Sequence, residues 1–114
     1  LPGKYAEPHG QILLLKNGDE IVGGAALRPL DDDGICEMKR LYVREEWRGA
    51  GYGRELTVQI LESARQAGYK RIRLDTERRL TTAIDMYKKF GFEEIGKYYD
   101  NPMDDILYLE LALR

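Results

Sequence analysis

The chain has 114 residues, 43% of them hydrophobic and 33% charged, with a formal net charge of −2. That length is one domain over 1–114, able to bury about two-thirds of the surface of its unfolded chain, and the near-neutral balance leaves no electrostatic footprint for nucleic acid or an anionic membrane. A single cysteine, Cys36, and a single histidine, His9, exclude an internal disulfide and a zinc or multi-cysteine metal site, in keeping with a reducing cytoplasm; no apolar run reaches membrane-spanning length.

In chain order, "QILLLKNGDEIVGGAAL" reads as a hairpin with its turn at Asn17-Gly18. A polar connection leads to a third strand, "ICEMKRLYV" at 35–43, and then to a glycine loop, "RGAGYGREL". From Tyr52 to Gly68 the pattern is helical, with Leu56, Ile60, Leu61 and Ala64 on one stripe and Gly68 as its stop. "YKRIRLDT" at 69–76 is a fourth strand. A second helix spans about Leu80 to Phe90 with Leu80, Ala83, Ile84 and Tyr87 on one face, closed by Gly91. "FEEIGKYY" and "DILYLELAL" supply two further strands. The order β-β-β-α-β-α-β-β predicts an α/β fold with a mixed sheet and packed helices, strands three and four being parallel across the helical crossover. The basic pairs Lys70-Arg71, Arg78-Arg79 and Lys88-Lys89 are read as solvated surface, since acids offset them.

The glycine loop places Gly49, Gly51 and Gly53 at alternate positions before a helix. Glycine permits positive φ and close ligand approach, and a helix N-terminus offers free amides to an anion. A pyrophosphate is the natural occupant, and two ligands carry one. A dinucleotide gains from Asp75 at the end of the next strand. It loses because Arg54 stands where the fingerprint needs its third glycine, and because Glu37, Lys39 and Arg40 interrupt a strand that should be apolar on both faces. Coenzyme A is favoured by the third strand itself. Cys36 and Met38 are apolar at even positions, Leu41 and Val43 at odd ones, so the inside face changes parity between 38 and 41. A β-bulge near Lys39-Arg40 restores it and splays the strand from its parallel neighbour, freeing ladder groups for an amide-rich arm such as pantetheine.

"KRLYVREEWRGAGYGREL" resembles the acetyl-CoA-binding motif of the GCN5-related N-acetyltransferases (GNAT), with Arg48, Gly51 and Gly53 filling its key positions; "AIDMYKKFGF" resembles a second segment of that family. The resemblance runs from about Gln11 onward and implies the GNAT fold, with a bulged strand before the coenzyme loop. The family's first strand and its following helices have no counterpart before "LPGKYAEPHG", so a shortened N-terminus is expected in a chain that opens on Leu1.

The resemblance further implies acetyl transfer from acetyl-CoA, without metal, to a primary amine of a small molecule, amino acid or peptide. It places coenzyme contacts at Leu41, Tyr42, Val43, Arg48, Gly49, Ala50, Gly51, Tyr52 and Gly53, with main-chain amides of the 41–43 stretch stabilising the oxyanion. Tyr87 matches the family's usual general acid, and it also reads as a core residue on an apolar stripe. Glu37 is the candidate base, acting through water, and it also reads as a surface carboxylate paired with Lys39 or an arginine. Leu80 stands where many members carry an asparagine that touches pantetheine. Asp75, Tyr98, Tyr99 and Asp100 are candidates for the acceptor side or for packing. Cys36 lacks a neighbouring histidine and is read as a buried thiol. A catalytically weak acyl-CoA-binding regulatory module is the alternative to an enzyme, with a dinucleotide-binding domain third. Exposed sheet edges make a homodimer an expectation.

Overall fold

The computed structural model describes residues 10–113; His9 lies outside them. The chain runs β1 (Gln11–Asn17), β2 (Glu20–Pro29), β3 (Ile35–Val43), a 3-10 turn at Glu45–Trp47, α1 (Tyr52–Gln66), β4 (Arg71–Glu77), α2 (Thr81–Phe90), β5 (Glu93–Ile95) and β6 (Ile106–Ala112). Six strands form one mixed sheet in the order β1-β2-β3-β4-β6-β5. Among the described residues only β3 and β4 pair in parallel; the other four neighbouring pairs are antiparallel. A doubly wound dinucleotide sheet is parallel throughout its core, so that alternative loses its fold. No described helix is long and apolar enough to cross a membrane.

Strand alternation sorts the side chains onto two faces. Cys36, Met38, Ile72, Leu74, Leu107 and Leu109 join Ile60, Leu61 and Ala64 of α1 and Ile84 and Tyr87 of α2 in one core. The opposite parity of the same strands carries Glu37, Arg73, Asp75, Tyr108 and Glu110, with Glu37 level with Arg73, Asp75 with Tyr108, and Arg73 with Glu110. Arg28 stands across from Glu37 on β2. One face is thus apolar under the helices, while the other is a polar ladder.

The break of parity in β3 is a bulge. Ala26 pairs with Lys39 and Gly24 with Tyr42, so Arg40 and Leu41 together oppose Ala25. Arg40 takes φ 59°, a left-handed conformation that a non-glycine residue adopts at a cost of about 1–2 kcal/mol. On its other edge β3 pairs with β4 only over Ile35–Glu37, opposite Arg71–Arg73. Beyond that rung the two strands part, and the β4-facing backbone groups of β3 have no ladder partner from Met38 on. Gly23 is fixed by close approach here: a Cβ would lie 2.5 Å from the Tyr42 carbonyl oxygen.

Three boundaries differ from the sequence reading. The hairpin turn is Gly18-Asp19, one residue later, because Asn17 still pairs with Glu20 and Gly18 supplies the positive φ of 63°. α1 ends at Gln66, before Gly68, which takes φ 88° as Tyr69 N–H closes back on the Ala64 carbonyl. β5 is three residues rather than the whole of "FEEIGKYY". Tyr98 and Tyr99 leave the ladder because their hydroxyls reach back across the sheet to Glu37 and Asp75.

Candidate functional site

The glycine loop turns the end of β3 into the start of α1. Gly49 and Gly51 take φ 85° and 90°, and Gly51 is the helix N-cap. Glu55 N–H is bonded to the Gly51 carbonyl at 3.0 Å, so the amides of residues 52–54 lack an intrahelical acceptor. They open onto a cleft of about 790 Å³ lined by the predicted Leu41, Tyr42, Val43, Arg48, Gly49, Gly51, Tyr52 and Gly53. Ala50 lies in the loop but is not part of that lining. The cleft also takes in Arg54 and Arg79, and no acidic residue among those described lines it. Free amides, a helix dipole and the arginines at its rim, of which Arg79 also pairs with Glu77, suit it to an anion. The fit to a pyrophosphate rests on Gly53 as well. Its φ is unexceptional and a Cβ would meet only Val43 Cγ2 at an ordinary 3.9 Å, so nothing in the protein requires glycine there.

Arg48 is held in place by its own strand, its Nε donating to the Val43 carbonyl at 2.9 Å. Trp47 packs edge-on against Tyr52, with centroids 6.1 Å apart. Its buried Nε1 has no hydrogen-bond partner among the described residues. Arg79, which sequence alone assigns to solvated surface, reaches the rim of the cleft beside Thr81 and Thr82; only the packing of α2 against the loop reveals it.

Leu41, Leu80 and Ala83 line this cleft and also a second cavity of about 440 Å³, so the two adjoin where β3 and β4 part. Tyr87 lines the second cavity. It is 5% exposed, its ring packs edge-on against Phe92 at 5.6 Å, and burial pushes its phenol up to about 12. Its hydroxyl has no hydrogen-bond partner among the described residues. It is at once a core residue and an uncommitted proton donor. Cys36, by contrast, is 0% exposed, donates to the Arg71 carbonyl at 3.6 Å, and is pushed up to about 12 by burial.

The two carboxylates at the parting of the strands differ sharply. Glu37 is fully buried rather than on the surface. Its Oε1 accepts from Arg28 Nε at 2.7 Å and its Oε2 from Tyr98 OH at 2.5 Å. Asp75 keeps a side chain 19% exposed and lines the cavity with Tyr87. Its Oδ2 accepts from Lys39 Nζ at 3.3 Å and from Tyr99 OH. Lys39 stands between the two, 3.7 Å from Glu37 Oε2. Burial, then the hydrogen bonds to Glu37 and Asp75, drives the phenols of Tyr98 and Tyr99 well above the usual range, so both remain donors. Asp100, an acceptor-side candidate in the sequence, instead forms an exposed pair with Lys97. The repeated tyrosine 98–99 was the one sequence signal for this arrangement, and it does not reveal which carboxylates the tyrosines meet.

Residues 3–92 match the model of the acetyltransferase (GNAT) family. An uncharacterised N-acetyltransferase of Schizosaccharomyces pombe is 39% identical over 111 residues, covering 96% of this chain and 68% of that protein. Another from Dictyostelium discoideum is 46% identical over 81 residues, covering 70% of this chain and 38% of its own length. The chain thus spans about two-thirds of the first relative and well under half of the second. Among solved structures, an acetyltransferase from Streptococcus agalactiae superimposes with a TM-score of 0.81 at 25% identity, over 90% of this chain and 66% of that one.

Proposed function

This chain belongs to the GNAT family of acetyltransferases, and we propose that it transfers an acetyl group from acetyl-CoA to the primary amine of a small molecule, amino acid or peptide. Acetyl-CoA supplies an activated thioester on a long amide-bearing arm that ends in a pyrophosphate. The loop Gly49–Gly53 and the amides opening α1 bind that anion, with Arg48, Arg54 and Arg79 completing the charge. The unpaired edge of β3 beyond Glu37 receives the arm as a strand would receive its neighbour. Amides of the Leu41–Val43 stretch face developing negative charge on the acyl oxygen without reorganising. Tyr87, 5% exposed, holds a proton at its hydroxyl for the departing sulfur.

The observation that carries this reading is that the two cavities adjoin at Leu41, Leu80 and Ala83, which sets an anion-suited cleft beside one lined by an uncommitted phenol. Leu80, in place of the family's asparagine, gives the arm an apolar contact. An acyl-CoA-binding module without turnover would share the cleft but has no use for a free proton donor at its far end. The test is thermal melting with acetyl-CoA, CoA and NAD in parallel, followed by thiol release on adding amines. Ligand at about 100 times its dissociation constant adds roughly 2.7 kcal/mol, on the order of 10 °C for a domain of this size. Shifts with both CoA species but not with NAD, and thiol release on adding amine, are expected. Shifts without thiol release would favour the binding module.

A further inference from the structure

We infer that Asp75, rather than Glu37, is the group that receives the acceptor's ammonium and takes its proton, which makes the second cavity an alkylammonium site. The inference rests on the acetyl-transfer reading above and assigns the half of the site that reading leaves open. Both carboxylates sit where β3 and β4 part, yet only one is available. Glu37 has no exposed surface and both its oxygens are taken, one by Arg28 and one by Tyr98. The two hydrogen bonds made by Asp75 fall on Oδ2, from Lys39 and Tyr99. Oδ1 has no partner among the described residues, on a side chain that lines the cavity. One oxygen is therefore anchored and the other is left for a ligand.

The anchoring has a chemical purpose. Tyr99 is held in turn by Asn101, whose Nδ2 donates to the phenol oxygen at 2.9 Å, and the rings of Tyr98, Tyr99 and Tyr108 pack edge-on at 5.3 to 5.9 Å. A carboxylate fixed this way loses little entropy on taking a ligand. The charged and titratable groups facing it are Lys39, Arg40 and Glu37 from β3, Tyr98 and Tyr99 from the β5–β6 loop, Tyr108 from β6 and Tyr87 from α2, with Arg73 and Glu77 on its own strand. The Lys39 charge is shared between Asp75 and Glu37, so it does not cancel Asp75 alone. Apolar walls from Met38, Leu74 and Ile106 suit an alkyl chain behind the ammonium.

Asp75 Oδ1 takes one proton from R–NH3+, and the freed lone pair forms the C–N bond as the C–S bond breaks. The nitrogen's second proton goes to solvent, Tyr87 gives its phenol proton to sulfur before solvent restores it, and Asp75 passes its proton to solvent to close the cycle. The sum is ammonium plus thioester giving amide, thiol and one released proton.

The test uses n-butylammonium as the probe, with n-butanol as a control of the same shape, and NMR chemical shifts of the full chain as the readout. Butylammonium but not butanol should perturb the amides around Asp75, Tyr87 and Tyr99. Asp75→Asn should weaken that binding roughly 10- to 100-fold, the loss of one charge-assisted hydrogen bond, while Glu37→Gln should leave it within about twofold. Asp75→Ser gives the same reading should the asparagine variant misfold. The acetyl-CoA melting shift should survive in both Asp75 variants; its absence from the parent chain would overturn the acetyl-transfer reading separately from the amine data. Equal affinity of parent and Asp75→Asn, or no binding of butylammonium by the parent, overturns the inference. In turnover, Asp75→Asn should be least impaired with trifluoroethylamine, which is already neutral at pH 7; an equal loss for both amines would leave Asp75 a merely structural group.

Discussion

Glu37 and Arg73 stand level across the last rung of the parallel β3–β4 ladder, and one step further the strands have parted. Arg73 turns away from Glu37 to meet Glu110 on β6, its Nε 2.8 Å from Oε2, while Glu37 takes Arg28 from β2. The two ion pairs brace the strands on either side of the opening, tying β3 to β2 and β4 to β6.

Removing one half of such a brace exposes what it holds. Glu37→Gln sets a neutral amide against Arg28 in place of a buried carboxylate, and losing the charge from that hydrogen bond costs on the order of 1–2 kcal/mol. Chemical denaturation should show that loss without a change in m-value. A stability unchanged within about 0.5 kcal/mol would mean Arg28, 23% exposed, simply turns to water.

Gly53→Ala should separate folding from ligand binding. Alanine in a helix is favoured over glycine by about 0.8–1 kcal/mol, and the new methyl meets only Val43. The variant is expected to melt a few degrees higher than the parent and yet to give a smaller acetyl-CoA shift. An undiminished shift would mean that the ligand does not approach the backbone at this residue.

Tyr87→Phe should lower thiol release by roughly 10²- to 10⁴-fold with the acetyl-CoA melting shift retained. It also has a signature at alkaline pH. The folded-state value of about 12 lies above the unfolded 10, so the folded chain binds more protons, and stability falls as pH rises from 10 through 12. Two units correspond to about 2.7 kcal/mol at most. Phenylalanine should flatten that decline, measurable by denaturation between pH 9 and about pH 11.

Cys36 should resist thiol reagents in the native chain, because its sulfur is buried and its pKa is raised to about 12. Labelling with iodoacetamide should proceed at the rate of unfolding and no faster. Rapid labelling at neutral pH would show that β3 opens locally toward solvent.

The glycine loop, the two helices and the bulge were legible in the sequence because each leaves a local mark. The parity switch between Met38 and Leu41 became the Arg40-Leu41 bulge, and Gly91 became a left-handed C-cap with φ 105°. What stayed illegible depends on non-local pairing. "FEEIGKYY" alternates like a strand, yet Tyr98 gains more from Glu37, 61 positions away, than from a ladder at the sheet edge. Glu37 reads as a polar residue on a half-exposed strand, and only the sheet order brings Arg28 and Tyr98 to seal it. The contrast between it and Asp75 is a contrast of burial, which sequence periodicity does not carry.

The bulge also determines which substitutions would go unnoticed. Past the bulge at Arg40, β3 presents unladdered main-chain amides as well as side chains along the opening. An alanine scan through Leu41, Tyr42 and Val43 keeps every one of those amides, so it should pass over the donors proposed for the acyl oxygen. An amide-to-ester exchange at the same positions deletes the donor and spares the side chain. The donors of this edge belong to the path of the backbone and not to its side chains, so a change of path would remove what a change of side chain leaves in place.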